Sequence, residues 1–203
     1  MKKLCVLIPI VIVALTGCIG IDTDISINEG GDGTVSLSYQ VSQKVVRMGT
    51  LEEEVPLVPL PVNEDDFRDM AATIPDLTLT SIERSEDAEH VSITAECSFA
   101  SLEALGELFS RDEEQFTITE TEDSTVLQYT LYTQTEEPID EDTLTMIDTF
   151  FSDYTINFTI NTPEEITNAS VGTLSDNQQR LNYTAAIPQL FRNNQTVTIQ
   201  VEW

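Results

Sequence analysis

Apolar and polar residues alternate with a period of two over much of the chain, and that period predicts strands. Val35, Leu37, Tyr39 and Val41 alternate with Ser and Gln just after Gly30-Gly31-Asp32-Gly33. Successive side chains of a strand point to opposite faces, so this pattern buries one face, and the Gly-rich tetrapeptide marks a turn before it. Asp22 to Asn28 on the other side of that turn predicts the partner strand of a hairpin. The same alternation places strands at Leu77 to Arg84 and Glu89 to Phe99, then at Phe116 to Thr121 and Thr125 to Thr133. The last fifty residues shift to Thr, Asn and Gln and predict strands at Tyr154 to Asn161, Arg180 to Ala186 and Thr196 to Trp203.

Three short stretches follow the helical period instead. Asn63 stands where an N-cap belongs, with acids in the first turn and Phe67, Met70, Ala71 and Ile74 on one face. Leu102, Leu105, Leu108 and Phe109 mark a second helix. Asp140 caps a third, whose inner face is Leu144, Ile147, Phe150 and Phe151. Their starts fall roughly 38 residues apart, but no residue motif recurs with them, and ordinary α+β packing produces the same rhythm. Between strand and first helix, Leu51 to Val62 carries three acids and then Pro56, Pro59 and Pro61 among Val55, Leu57, Val58, Leu60 and Val62. Prolines at that density forbid a helix or a central strand, so an extended apolar loop is expected, either packed on the domain or forming an apolar lip over a pocket or toward a partner. The fold class that follows is α+β, a mostly antiparallel twisted sheet with about three short helices packed on one face.

Composition changes what such a domain can meet. The 203 residues hold 36 acidic against 9 basic side chains, a formal charge of −27, yet 40% are hydrophobic, which excludes a disordered polyanion. The acids are dispersed, with no block that reads as a tail. Such a surface repels nucleic acid and anionic lipid, and its simplest use is solubility where salt screens charge.

The first residues carry an address. Lys2 and Lys3 precede an unbroken apolar run from Leu4 to Leu15, whose 12 residues are too few to span a bilayer, for which about 20 are needed. The run ends in Leu15-Thr16-Gly17-Cys18: a branched residue, two small ones and a cysteine. This resembles the signal of bacterial lipoproteins. The resemblance implies removal of residues 1–17 by cleavage between Gly17 and Cys18. It also implies diacylglycerol in thioether linkage on Cys18, often an N-acyl chain on the new amine, and the lipoprotein-processing enzymes as partners. Two or three chains hold a protein where one does not, since each buried methylene contributes about 0.8 kcal/mol. Residue 19 is Ile and not the Asp that retains many lipoproteins in the inner membrane, so in a Gram-negative host the outer membrane is the expected site. Residues 18–28 then comprise the lipidated cysteine and a first strand or short acidic tether, and 29–203 a single acidic domain.

Candidate chemistry is sparse. Elbow, P-loop and dinucleotide-binding motifs are missing, and the one histidine, His90, stands beside Glu89 at the start of a strand. With Cys5 leaving in the signal and Cys18 carrying lipid, Cys97 is alone on the apolar side of its strand and reads as a buried thiol. One His and one such Cys make neither a typical zinc site nor a Cys-His pair. Asp22, Asp24, Glu29 and Asp32 are the ligands best suited to calcium, but they do not fit an EF-hand loop, and a plain turn is the expectation. No metal, no cofactor and no catalytic residue is therefore expected. Asn157, Asn168, Asn182 and Asn194 each begin an Asn-x-Ser/Thr triplet, which behind a bacterial export signal reads as strand-prone composition.

A second resemblance lies in the last quarter of the chain. Thr162-Pro163-Glu164-Glu165-Ile166, Ser170-Val171-Gly172, Leu181-Asn182-Tyr183 and the closing Val197-x-Ile199-x-Val201-x-Trp203 look like the ending of LppM-type envelope lipoproteins. There a Pro-containing segment leads into a Gly-containing turn and two closing strands with an aromatic residue. Glu164 here takes the place of the usual Gly. This resemblance implies an α+β envelope domain, with binding of lipid or glycolipid and no catalytic residues. The expected function is non-enzymatic binding of a lipid, glycolipid or other apolar ligand on the outer side of a membrane, in a pocket roofed by Val55 to Val62. A structural or protein-docking lipoprotein is the alternative.

Overall fold

The computed structural model describes residues 20–43, 46, 61, 63–109, 115–121, 123–135 and 138–203. In chain order the described elements are β1 (Gly20–Ile27), β2 (Gly33–Ser42), α1 (Glu64–Ala72), β3 (Leu77–Glu86), β4 (His90–Phe99), α2 (Leu102–Phe109), β5 (Phe116–Glu120) and β6 (Thr125–Tyr132). They continue with α3 (Glu141–Phe151), β7 (Thr155–Asn161), β8 (Asn168–Ala169), β9 (Thr173–Leu174), β10 (Arg180–Ala186), α4 (Ile187–Asn193) and β11 (Val197–Glu202). Two sheets result. Seven strands run in the order β3-β4-β2-β1-β7-β10-β9, and four in the order β5-β6-β11-β8. The fold is α+β, with antiparallel pairing throughout except between β1 and β7, which run parallel.

Local chemistry explains most element ends. Between β1 and β2 the Asn28 N–H meets the Asp32 carbonyl at 2.8 Å, and Gly31 adopts φ 78°, a conformation that favours glycine. Asn63 accepts the Asp66 N–H at 2.7 Å and Asp140 accepts the Thr143 N–H at 2.9 Å, so both expected caps open their helices. Helix α4 was not foreseen: it carries Pro188 in its first turn and stops where Asn194 turns left-handed at φ 42°.

The single sheet expected from the alternation is instead two. Helix α4 lifts the chain off β10, so that β11 pairs with β6, while Trp203 exchanges backbone hydrogen bonds with Thr125 at 2.8 and 3.1 Å. Period-two patterning marks faces and carries no information about which strand is the neighbour. The helix-strand-strand rhythm likewise does not recur in space. The β3–β4 hairpin lies in the large sheet and β5–β6 in the small one, while β7 sits between β1 and β10.

The inner face of the large sheet carries Ile25, Ile27, Val35, Leu37, Ile93, Ala95, Cys97, Phe99, Phe158, Ile160 and Leu181, all buried. Phe67 of α1, Leu105 of α2 and Phe116, Leu127, Ile199 and Val201 of the small sheet join the same core cluster. The large sheet is therefore one layer, and α1, α2 and the small sheet form the other. Helices α3 and α4 pack chiefly against each other, at the ends of β7 and β10. The outermost strand of the described sheet, β3, carries Glu83, Arg84 and Glu86 and slips register between Leu79 and Ser81, features that discourage pairing with another chain.

Candidate functional site

Between the two layers lies a cavity of about 450 Å³. The large sheet supplies one wall with Ile21 and Thr23 of β1, Leu37 of β2, and Ile156 and Phe158 of β7. Helix α1 adds Phe67 and Met70, and the turn after it adds Thr73 and Ile74, the last of these lying past the helix end and not on the helical face expected of it. Glu107, Leu108 and Phe109 of α2, Gln115, and Tyr129 and Leu131 of β6 complete the lining. The volume falls in the range of small-molecule sites.

Aromatic rings stiffen these walls. Phe109 stacks on Phe116 with centroids 5.1 Å apart and meets Phe158 edge-on at 6.3 Å, while Tyr129 lies 5.3 Å from Phe158. The separations are those of favourable aromatic pairs, and they tie α2, β5, β6 and β7 together around the space. Tyr39 donates its hydroxyl hydrogen to the Pro61 carbonyl. Burial holds that phenol far above its ordinary pKa, so it stays a donor at every physiological pH.

Pro61, pinned in this way, lines the cavity. Val55, Leu57, Val58, Leu60 and Val62 lie outside the described residues, as do Gly17, Cys18 and the side chain of Phe150.

The other candidates are dispersed. His90 sits at the hairpin between β3 and β4, with Nδ1 3.8 Å from Asp87. The Asp87 carboxyl is held below its usual range by the N–H groups of Glu89 and then His90. Cys97 is buried on the inner face, and burial pushes its thiol up to about 11. Asp22 and Asp24 stand on the outer face of β1, where Asn157 donates to Asp22 at 2.7 Å and Asn161 to Asp24 at 2.9 Å. Glu29 and Asp32 belong to the turn, where Asp32 accepts from the Asn28 amide at 2.8 Å. Among the described residues no three His, Cys, Asp or Glu side chains form a group able to hold a metal. The triplet asparagines have structural work: Asn157 accepts from Thr184 at 2.9 Å, and Asn194 caps α4 while accepting from the Tyr132 hydroxyl at 2.8 Å.

Sequence reasoning missed Thr23, Glu107, Phe109, Tyr129, Ile156 and Phe158 as parts of one site, because their convergence depends on which strands become neighbours. One local signal existed. Thr23 interrupts Ile21, Ile25 and Ile27 on the apolar side of β1, and it is buried with 6% of its surface exposed. No hydrogen bond engages its hydroxyl among the described residues, and its side chain lines the cavity.

No family model matches the sequence, and no curated protein matches it. Among solved structures, the folded domain of the LppM protein of Mycobacterium tuberculosis, determined by NMR, is similar in fold. The TM-score is 0.53 over 90% of this chain and 86% of that one, at 8% sequence identity. At that identity the likeness concerns the fold alone. No helix among the described residues is long and apolar enough to cross a membrane.

Proposed function

We propose that this chain is a lipid-anchored protein of the cell envelope, facing outside the cytoplasm, whose domain binds a lipid, glycolipid or other apolar ligand without transforming it. The cavity carries this reading. It has a volume of about 450 Å³ and walls that are mostly Ile, Leu, Met and Phe. A solid core with a flat apolar patch would suit protein docking; a recess between the layers with mostly apolar walls suits a ligand. Its lining among the described residues offers one carboxylate, Glu107, with no histidine or cysteine beside it, an unpromising set for acid–base or nucleophilic catalysis. The shared fold with the LppM domain and the resemblance of the C-terminal segments support the same assignment.

The anchor rests on Leu15-Thr16-Gly17-Cys18, and in a Gram-negative host Ile19, in place of a retaining Asp, permits sorting to the outer membrane. Two experiments test these parts separately. Mass spectrometry of lipids that co-purify with residues 18–203 carrying Cys18→Ser is expected to show a stoichiometric apolar ligand; recovering none from several hosts sinks the ligand reading. Metabolic acyl labelling is expected to mark the wild type and spare Cys18→Ser; equal labelling removes the anchor.

A further inference from the structure

Strand β1 leaves almost no slack behind the anchor. Gly20 is already paired with Thr155 of β7, and a Cβ there would run into the Thr155 carbonyl oxygen. Only Ile19 separates this fixed point from Cys18, and two extended residues span at most roughly 7 Å. The headgroup layer on each side of a bilayer is itself about 5–7 Å deep.

We propose that the end of the large sheet where β1 begins is a membrane-facing surface, seated on the bilayer that holds Cys18. The proposal rests on lipidation of Cys18. The same end contains the start of β7, the close of β2 and β10, and the α3–α4 pair. Hydrogen bonds make it rigid: the Ser42 N–H donates to the Tyr154 hydroxyl at 3.1 Å, and the Ile187 N–H to the Tyr154 carbonyl at 2.9 Å. Helix α3, which leads into β7 at this end, bears Met146, the exposed large apolar side chain among the described residues, with half its surface open. Asp87 and Asp153 also lie here, while Glu86 is paired with Arg84 at 2.7 Å, so the surface suits a zwitterionic lipid face held by the anchor, and an anionic one repels it. Ile21 lines the cavity only three residues from Cys18, which brings the proposed ligand site within roughly 11 Å of the anchor.

The test uses the lipidated protein in phosphatidylcholine vesicles carrying a headgroup acceptor dye. A donor is placed through Met146→Cys or, at the far turn, through Glu29→Cys; Cys97 is buried and leaves the labelling specific. Strand β1 is eight residues long, about 25 Å, so transfer is expected to be at least about twofold stronger from position 146 than from 29. A Gly-Ser insertion of about twelve residues between Ile19 and Gly20 has a reach of roughly 20 Å and is expected to abolish the difference. Equal transfer from the two positions, or a difference that survives the insertion, overturns the proposal. Intact mass without acyl chains on Cys18 overturns it too, together with the anchor reading; acylated protein with equal transfer overturns this inference alone.

Discussion

The two faces of the large sheet are cut from the same strands and differ in almost everything else. Inward point Ile25, Val35, Cys97, Phe158, Ile160 and Leu181, all sealed from solvent. Outward, a row of paired positions reads Glu83, Thr94, Ser38, Asp22, Asn157 and Thr184, and the next reads Ser81, Glu96, Ser36, Asp24, Thr159 and Asn182. Short polar side chains there bond across strands: Gln40 to Ser92 at 2.8 Å, Asn157 to Asp22 at 2.7 Å, Thr184 to Asn157 at 2.9 Å. One face holds the fold by removing apolar surface from water; the other contributes exposed bonds that compete with water and are individually weak.

Strand β7 allows this contrast to be tested on three consecutive residues. Ile160 is fully buried, and Ile160→Ala is expected to destabilise by about 2–5 kcal/mol, the usual range for deleting a core aliphatic group. Asn161 faces outward but is the exception on its side: its amide reaches Asp24 at 2.9 Å, the Ile25 carbonyl at 3.1 Å and Ser26 at 3.0 Å. Partly buried as it is, Asn161→Ala is expected to cost about 1–2 kcal/mol. Thr159 makes one long contact, 3.3 Å to Asn182, and Thr159→Ala is expected to stay within about 0.5 kcal/mol. Denaturant midpoints for the three variants check the order; a Thr159 effect equal to that of Ile160 would break the distinction between faces.

This alternation is why so much of the fold was legible. The strand at Arg180–Ala186 and the caps Asn63 and Asp140 stand where the residue pattern puts them, because period, burial and capping are local properties. Helix α4 has seven residues and strands β8 and β9 two each, too short for any period to register. The parallel β1–β7 pair joins residues 135 apart, and no local pattern encodes that choice. The cavity inherits the difficulty. Its helical wall was readable from Phe67 and Met70, whereas its convergence on Phe158 and Tyr129 follows from the pairing of distant strands.

Charge supplies a smaller test on the polar side. The Asp140 carboxyl is held below its ordinary range by the Thr143 hydroxyl and then the Thr143 N–H, and Asp87 by the N–H groups of Glu89 and His90. A carboxyl whose folded pKa is depressed contributes stability above its unfolded pKa, and that contribution is lost as pH falls through the folded value. Acid should therefore weaken the protein below about pH 4, where unfolded carboxylates begin to take up protons. Asp140→Asn keeps a capping side chain and removes the charge, so its stability is expected to fall less steeply between pH 5 and pH 2 than that of the wild type. Parallel acid limbs for the two proteins would show that Asp140 has no part in it.

Thr23 crosses the division, a hydroxyl on the inner face where its strand neighbours on that side are Ile21 and Ile25. If it were simply part of the core, its shape would matter and its hydroxyl would be a defect. Thr23→Val keeps the branched shape, so stability is expected to move by less than about 0.5 kcal/mol, because an unengaged hydroxyl contributes little to the folded state. Binding of the lipid recovered from the wild-type domain is expected to weaken about three- to tenfold, the worth of one hydrogen bond inside an apolar cavity. Unchanged affinity with raised stability would make Thr23 a core residue. Retained stability with lost affinity is what separates a site from the core around it.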